Sequence, residues 1–168
     1  HQVELNLKLV SPHPVPLPQR GRGESEGAEK PCIYISPEEE QDAERKLAYF
    51  GVKENEFLIA VHPEAGYPSK EWGADRFGSL IERLLVRPRS KVIIFGIGGA
   101  RTSAESFASS NQVVNLVNVL TLREMICVMS RCHLFIGNDS GPSHVAQALG
   151  IPAVVIASGT NEYEKWGI

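Results

Sequence analysis

Cysteine is scarce. The 168 residues hold three, Cys32, Cys127 and Cys132, and no two form a CxxC pair. An odd number without metal-ligand spacing argues against a cysteine metal cluster and reads as reduced thiols, the cytosolic pattern. Cys132 stands next to His133, but Cys127 and Cys132 lie in an apolar helical run and are expected to be core thiols. Excess positive charge is also lacking: 17 Lys and Arg stand against 20 Asp and Glu, a net charge of -3. Nucleic-acid surfaces need surplus Lys and Arg, and aromatics at 7% offer few stacking platforms, so nucleic acid is not an expected partner. No apolar stretch approaches the ~20 residues that span a bilayer, so no transmembrane segment is expected. No signal peptide is expected in this stretch, and no internal repeat is seen. The chain begins at His1 rather than Met, which suggests a piece of a longer protein whose N-terminal part is absent.

What is present suits one domain of ordinary size, because 42% hydrophobic residues can build a core at this length. The first ten residues, "HQVELNLKLV", alternate in a way that fits a strand, but the segment is too short to decide. From Ser11 to Pro31 prolines, glycines and charges crowd together, which reads as a flexible linker or insertion. "SPEEEQDAERKLAYFG" reads as a helix: Ser36 caps, Pro37 takes the first position, Glu38 to Glu40 meet the positive end, and Gly51 stops it.

Strands and helices then alternate. "EFLIAVH", "KVIIFG", "QVVNLV", "HLFIGND" and "PAVVIAS" read as strands. "ADRFGSLIERLL", "ARTSAESFASS", "TLREMICVMSRC" and "PSHVAQALG" read as the helices between them. Continuous Val/Ile runs mean strands buried on both faces, hence an α/β domain with a parallel sheet and helices on both sides. In such a sheet ligands bind beyond the carboxyl ends of the strands.

Four loops lie at that edge. In "HPEAGYPSKEW", Gly66 lets the backbone approach a ligand, and Ser69 and Lys70 offer a hydroxyl and a cation for a phosphate. Spacing alone leaves a plain surface turn equally open, and His62 reads better as a packed or capping histidine than as a ligand. In "FGIGGARTSAE" the glycines do not spell GxGxxG, and Leu116 and Val117 stand where a dinucleotide site expects an acidic residue. In "GNDSGPSHVAQALG", Ser140 suits a helix cap and Pro142 the first turn. Free amides of Ser140, Gly141 and Ser143 are expected to face the sheet edge, where a diphosphate would be attracted, with His144 nearby. A serine-hydrolase elbow is disfavoured, because no glycine precedes Ser140 by two residues. A purely structural strand-to-helix corner stays open. In "ASGTNEYEKWG", Gly159 and Thr160 could donate to a phosphate or sugar.

These loops together resemble the C-terminal domain of the glycosyltransferase family 9 enzymes, the lipopolysaccharide heptosyltransferases and their relatives. The resemblance is carried by "HPEAGYPSKEWGADRF", "IIFGIGGA", "HLFIGNDSGPSHVAQALGIP" and "SGTNEYEKWG", over about residues 57 to 168. It implies a GT-B architecture of two Rossmann-like domains facing a cleft. Residues 1–31 would be an interdomain segment with an insert, and residues 32–168 a donor-binding domain truncated at its C-terminus. By motif, Lys70 would pair with the donor diphosphate, with Ala65, Gly66, Ser69 and Gly98 beside it. Asp139, Ser140, Gly141 and His144 would line the phosphate and sugar end, and Leu120 and Thr121 the adenine. The donor is expected to be a nucleotide sugar, ADP-heptose, with no metal and no other cofactor. The acceptor, a lipid A–Kdo core, and the general base would belong to the absent first domain. These residues alone are therefore expected to bind donor without turning over, in the cytoplasm or at the inner membrane surface. Two departures bear on the donor: Ala100 and Arg101 replace the family's usual Gly-Glu, and "ASGT" replaces Phe-Gly-Pro-Thr. A UDP sugar, a nicotinamide cofactor, or a nucleotide-binding domain without transferase activity are the alternatives.

Overall fold

A computed structural model describes residues 32–97 and 110–157. Residues 1–31, Gly98, nearly all of the expected helix over 100–110, and the loop residues from Ser158 onward lie outside the described residues.

Helix α1, Pro37–Tyr49, starts as its sequence directs. The Ser36 hydroxyl accepts from the Glu39 amide at 3.3 Å, and the Glu39 carboxylate accepts from the Ser36 amide at 2.9 Å. Gly51 follows with φ of +77°, a conformation that favours glycine and lets the chain turn into the sheet. Strand β1, Phe57–His62, leads through a short 3₁₀ turn, Pro68–Lys70, to helix α2, Ala74–Leu85. Strands β2, Ser90–Ile94, and β3, Val113–Asn115, come next. Helix α3, Leu122–Ser130, strand β4, Leu134–Asn138, helix α4, Gly141–Ala148, and strand β5, Ala153–Ile156, complete the described elements.

The five strands are all parallel, in the order β3-β2-β1-β4-β5. The chain thus builds outward from β1 in one direction and then returns to the other side, which is the doubly wound, Rossmann-like arrangement. Successive residues of a strand serve opposite faces. Leu58, Ala60, Ile93 and Phe135 pack on one side with Ala43 and Leu47 of α1, Val128 and Met129 of α3, and Ala146 of α4. Ile59, Val61, Val92, Ile94 and Ile136 pack on the other with Phe77, Leu80 and Ile81 of α2. Both faces are covered, as the unbroken apolar strands require. Each fully buried Leu, Ile, Val or Phe contributes about 1.5–3 kcal/mol by leaving water, so these two layers carry the fold.

Cys127 and Cys132 sit in the first layer, as core thiols. Burial pushes the Cys132 thiol up to about 12, and burial also raises that of Cys127. His133 does not pair with Cys132 as a metal ligand. Its Nδ1 accepts from the Leu58 amide at 3.1 Å, and its ring stacks on Phe57. Among the described residues no group of three His, Cys, Asp or Glu could hold a metal ion, and no helix is long and apolar enough to cross a membrane.

Candidate functional site

The direction in which successive strands are added reverses between β1 and β4, so their carboxyl ends form the switch-point crevice where doubly wound sheets take ligands. Two loops meet there. One leaves β1 at His62 and carries Lys70 at the end of its 3₁₀ turn, where the Lys70 amide donates to the Tyr67 carbonyl at 2.9 Å. The other leaves β4 at Asn138 and runs through Asp139 and Ser140 into α4.

Lys70 Nζ lies 3.6 Å from Asp139 Oδ2, and both side chains are largely covered. The expected cation and the expected carboxylate are therefore brought together, across the two loops. Ser69 and Gly66 are exposed on the Lys70 loop and Ala65 is half-buried. A Cβ at Gly66 or Gly141 would meet nothing within 4 Å, so open space lies above both backbones. His144 is exposed on the first turn of α4.

The expected cradle of three free amides needs correction. The Ser140 amide donates to the Ser143 hydroxyl at 3.4 Å, and the Ser143 amide donates to the Ser140 carbonyl at 3.0 Å. Ser143 is fully buried, and its hydroxyl also donates to the Ser140 carbonyl at 2.6 Å. A serine three residues into the turn thus closes it on itself. Among the described residues only the Gly141 amide of the three lacks a hydrogen-bond acceptor. Ser140 is the N-cap residue, but its hydroxyl turns away from the helix, to the Asn138 carbonyl at 3.2 Å and to Nδ1 of His62 at 3.4 Å. His62 is buried, as expected of a packed histidine, and burial lowers its pKa.

Leu120 and Thr121 follow β3, at the same edge of the sheet but two strands from β1. Thr121 is the N-cap of α3. Its hydroxyl accepts from the Glu124 amide at 3.3 Å and donates to the Glu124 carboxylate at 2.8 Å, so it is occupied in holding the helix start. Leu120 packs against the first core layer. Gly98 lies outside the described residues.

Two further residues organise the crevice. Asn138 is fully buried. Its Oδ1 accepts from the Trp72 amide at 3.1 Å, and its Nδ2 donates to the Pro63 carbonyl at 2.7 Å. Glu64 reaches from the β1 loop to the β2 loop, where its carboxylate accepts from the Ile97 amide at 2.9 Å. A Cβ on Gly96 would stand 3.0 Å from that carboxylate, so glycine there leaves room for it. The signal for Asn138 was a lone amide ending an apolar strand; the partner of Glu64 is distant in sequence and left no local signal.

Against known proteins, the family model described as "Glycosyltransferase family 9 (heptosyltransferase)" matches residues 1–165. Lipooligosaccharide heptosyltransferase 2 of Campylobacter jejuni is 30% identical over 112 residues, covering 62% of this chain and 35% of that protein. Lipopolysaccharide heptosyltransferase 3 of Escherichia coli is 23% identical over 168 residues, covering 95% of this chain and 45% of that protein. The chain thus spans under half the length of these curated relatives. Among solved structures, the glycosyl transferase family 9 protein of Veillonella parvula superimposes with a TM-score of 0.67 at 26% identity, over 77% of this chain and 38% of that one. The E. coli ADP-heptose lps heptosyltransferase II superimposes with a TM-score of 0.65 at 22% identity, over 80% of this chain and 41% of that one, a likeness of fold.

Proposed function

We propose, on the premise that the chain belongs to glycosyltransferase family 9, that it is the donor-binding domain of a heptosyltransferase acting in lipopolysaccharide biosynthesis. Its donor is a nucleoside diphosphate sugar, ADP-heptose, held beyond the carboxyl ends of β1 and β4. The observation that carries this reading is the Lys70 ammonium placed 3.6 Å from Asp139 at the switch point of a 3-2-1-4-5 sheet.

Glycosyl transfer leaves negative charge on the departing diphosphate. A catalyst gains by placing fixed positive charge there before the reaction starts. Lys70 supplies a full charge, and the N-terminus of α4 supplies a partial one with the Gly141 amide at its tip. Two other amides of that turn are spent internally, so Lys70 carries more of the task than a helix-end cradle would require. Asp139 holds the ammonium in place and offers its carboxylate to sugar hydroxyls, for which an acceptor-only group is suited. This division of labour fits an inverting displacement without a metal ion. The base that deprotonates the acceptor, and the acceptor itself, a lipid A–Kdo core, fall to a second domain of the full-length family. The setting that suits them is cytoplasmic, at the inner membrane face.

A calorimetric panel of ADP, UDP, GDP and NADH on the 168-residue chain tests the reading. ADP is expected to bind tightest. At 100 times its dissociation constant it should stabilise the fold by about 2.7 kcal/mol. Preference for UDP would move the donor to another sugar nucleotide, preference for NADH would move the domain to another class, and binding of none would defeat the proposal.

A further inference from the structure

We infer that Asn138 is a positioning residue that latches the Lys70 loop and thereby sets where the ammonium meets a diphosphate; this rests on the donor-site reading above. The loop between β1 and α2 is tied by side chains rather than by regular structure: Glu64 reaches the Ile97 amide, Lys70 pairs with Asp139, and the Trp72 ring packs on Phe77. The loop contains Pro63, Gly66, Pro68 and Gly73, and α2 begins at Gly73 without a side-chain cap. Its own backbone hydrogen bonds are confined to the small turn, Lys70 to Tyr67 and Glu71 to Pro68. Asn138 closes both ends at once, donating to the Pro63 carbonyl at 2.7 Å and accepting from the Trp72 amide at 3.1 Å. Lys70 sits between those anchors.

The chemistry selects the residue type. The latch needs one donor and one acceptor on a single short side chain, which Asn provides. An ionised aspartate has no donor, and leucine has neither. Asn138 is 0% exposed and Pro63 is buried, so losing the carboxamide leaves the Pro63 carbonyl without its partner in a covered place. The next residue in the chain is Asp139, the partner of the Lys70 ammonium. Both members of that ion pair thus hang from one buried amide. Asn138 acts through the loop and does not itself reach the opening.

The test combines amide hydrogen exchange with binding of ADP and adenosine to the chain, unsubstituted and carrying Asn138→Ala, Lys70→Ala or both. Asn138→Ala should speed exchange of the Trp72 amide at least about tenfold while the β1 and β4 amides keep their protection. Unchanged Trp72 exchange overturns the latch. The same variant should weaken ADP about tenfold and leave adenosine unchanged, and should cost ADP almost nothing more once Lys70 is alanine. Equal losses for ADP and adenosine, or losses that add in the double variant, mean that Asn138 only supports the fold and overturn the inference. Where Asn138→Ala does not fold, Asn138→Asp keeps the shape and the acceptor for Trp72 but sets a carboxylate against the Pro63 carbonyl. It must also weaken ADP selectively, and full ADP affinity overturns the inference. If the unsubstituted chain binds no ADP, the donor-site reading fails by itself, and Trp72 exchange alone then decides the latch.

Discussion

The Ser140 hydroxyl lies 3.4 Å from Nδ1 of His62, joining the last residue of β1 to the first residue of the α4 turn inside the sheet edge. Burial lowers the pKa of His62 and keeps its ring neutral near pH 7. The unfolded chain takes up this proton near about pH 6.5, the folded chain only at lower pH. In between the unfolded state holds more protons, so stability contributed by the neutral ring is present above about pH 6.5 and is lost as pH falls through the folded value. The melting temperature should therefore drop between pH 7 and pH 5, and His62→Gln should flatten that slope. An identical slope in the variant would show that another group carries it.

Gly137 leaves no room for a side chain. A Cβ there would stand 2.7 Å from the Phe135 ring and 2.9 Å from the His62 carbonyl of the neighbouring strand. The carbonyl is backbone and cannot swing away. Gly137→Ala should destabilise the chain by about 1–3 kcal/mol in urea unfolding, as overpacking does. A neutral effect would mean that β1 and β4 are less closely seated than described.

Helices α1 and α3 are joined at their exposed edge. Arg123 donates to both Glu39 oxygens at 2.7 Å and to the Tyr34 carbonyl at 2.7 Å, while Lys46 pairs with Glu124 at 2.9 Å. The Arg123 guanidinium, with the Ser36 amide, holds the Glu39 carboxyl down at about 2. A depressed carboxyl stabilises the fold above its unfolded value, about 4.3, and that contribution is lost as pH falls through about 2. Solvent screens the pair, so the effect is small. Arg123→Ala should make acid unfolding between about pH 4 and pH 2 less steep. An unaltered acid limb would contradict the coupling.

Much of this architecture is legible in residue order alone. "ADRFGSLIERLL" coincides with α2, because its apolar residues recur at helical spacing and Gly73 stands before it. The strands read true because Val/Ile runs between glycines have few other uses, although β3 shortens to Val113–Asn115. That Lys70 and Asp139 lie at the carboxyl edge of the sheet was legible because each follows a strand that had to end there. Their mutual contact was not, because it depends on the order of strands rather than on spacing. The occupied amides of Ser140 and Ser143 were misjudged for a local reason. Ser143 stands where a capping box usually has Glu or Gln, and a short hydroxyl can close the same turn. Thr121 was placed near the adenine by resemblance alone; its hydroxyl caps α3, a local role that Glu124 three residues on signals.

The central claim is that Lys70 meets the diphosphate of a nucleotide. It is tested most directly by titrating ADP and adenosine into the chain and into Lys70→Ala. A charge-assisted hydrogen bond contributes about 1.5–3 kcal/mol, so Lys70→Ala should weaken ADP by a factor of about ten to a hundred and leave adenosine unchanged. Equal weakening of both ligands, or full ADP affinity without the lysine, would contradict the account.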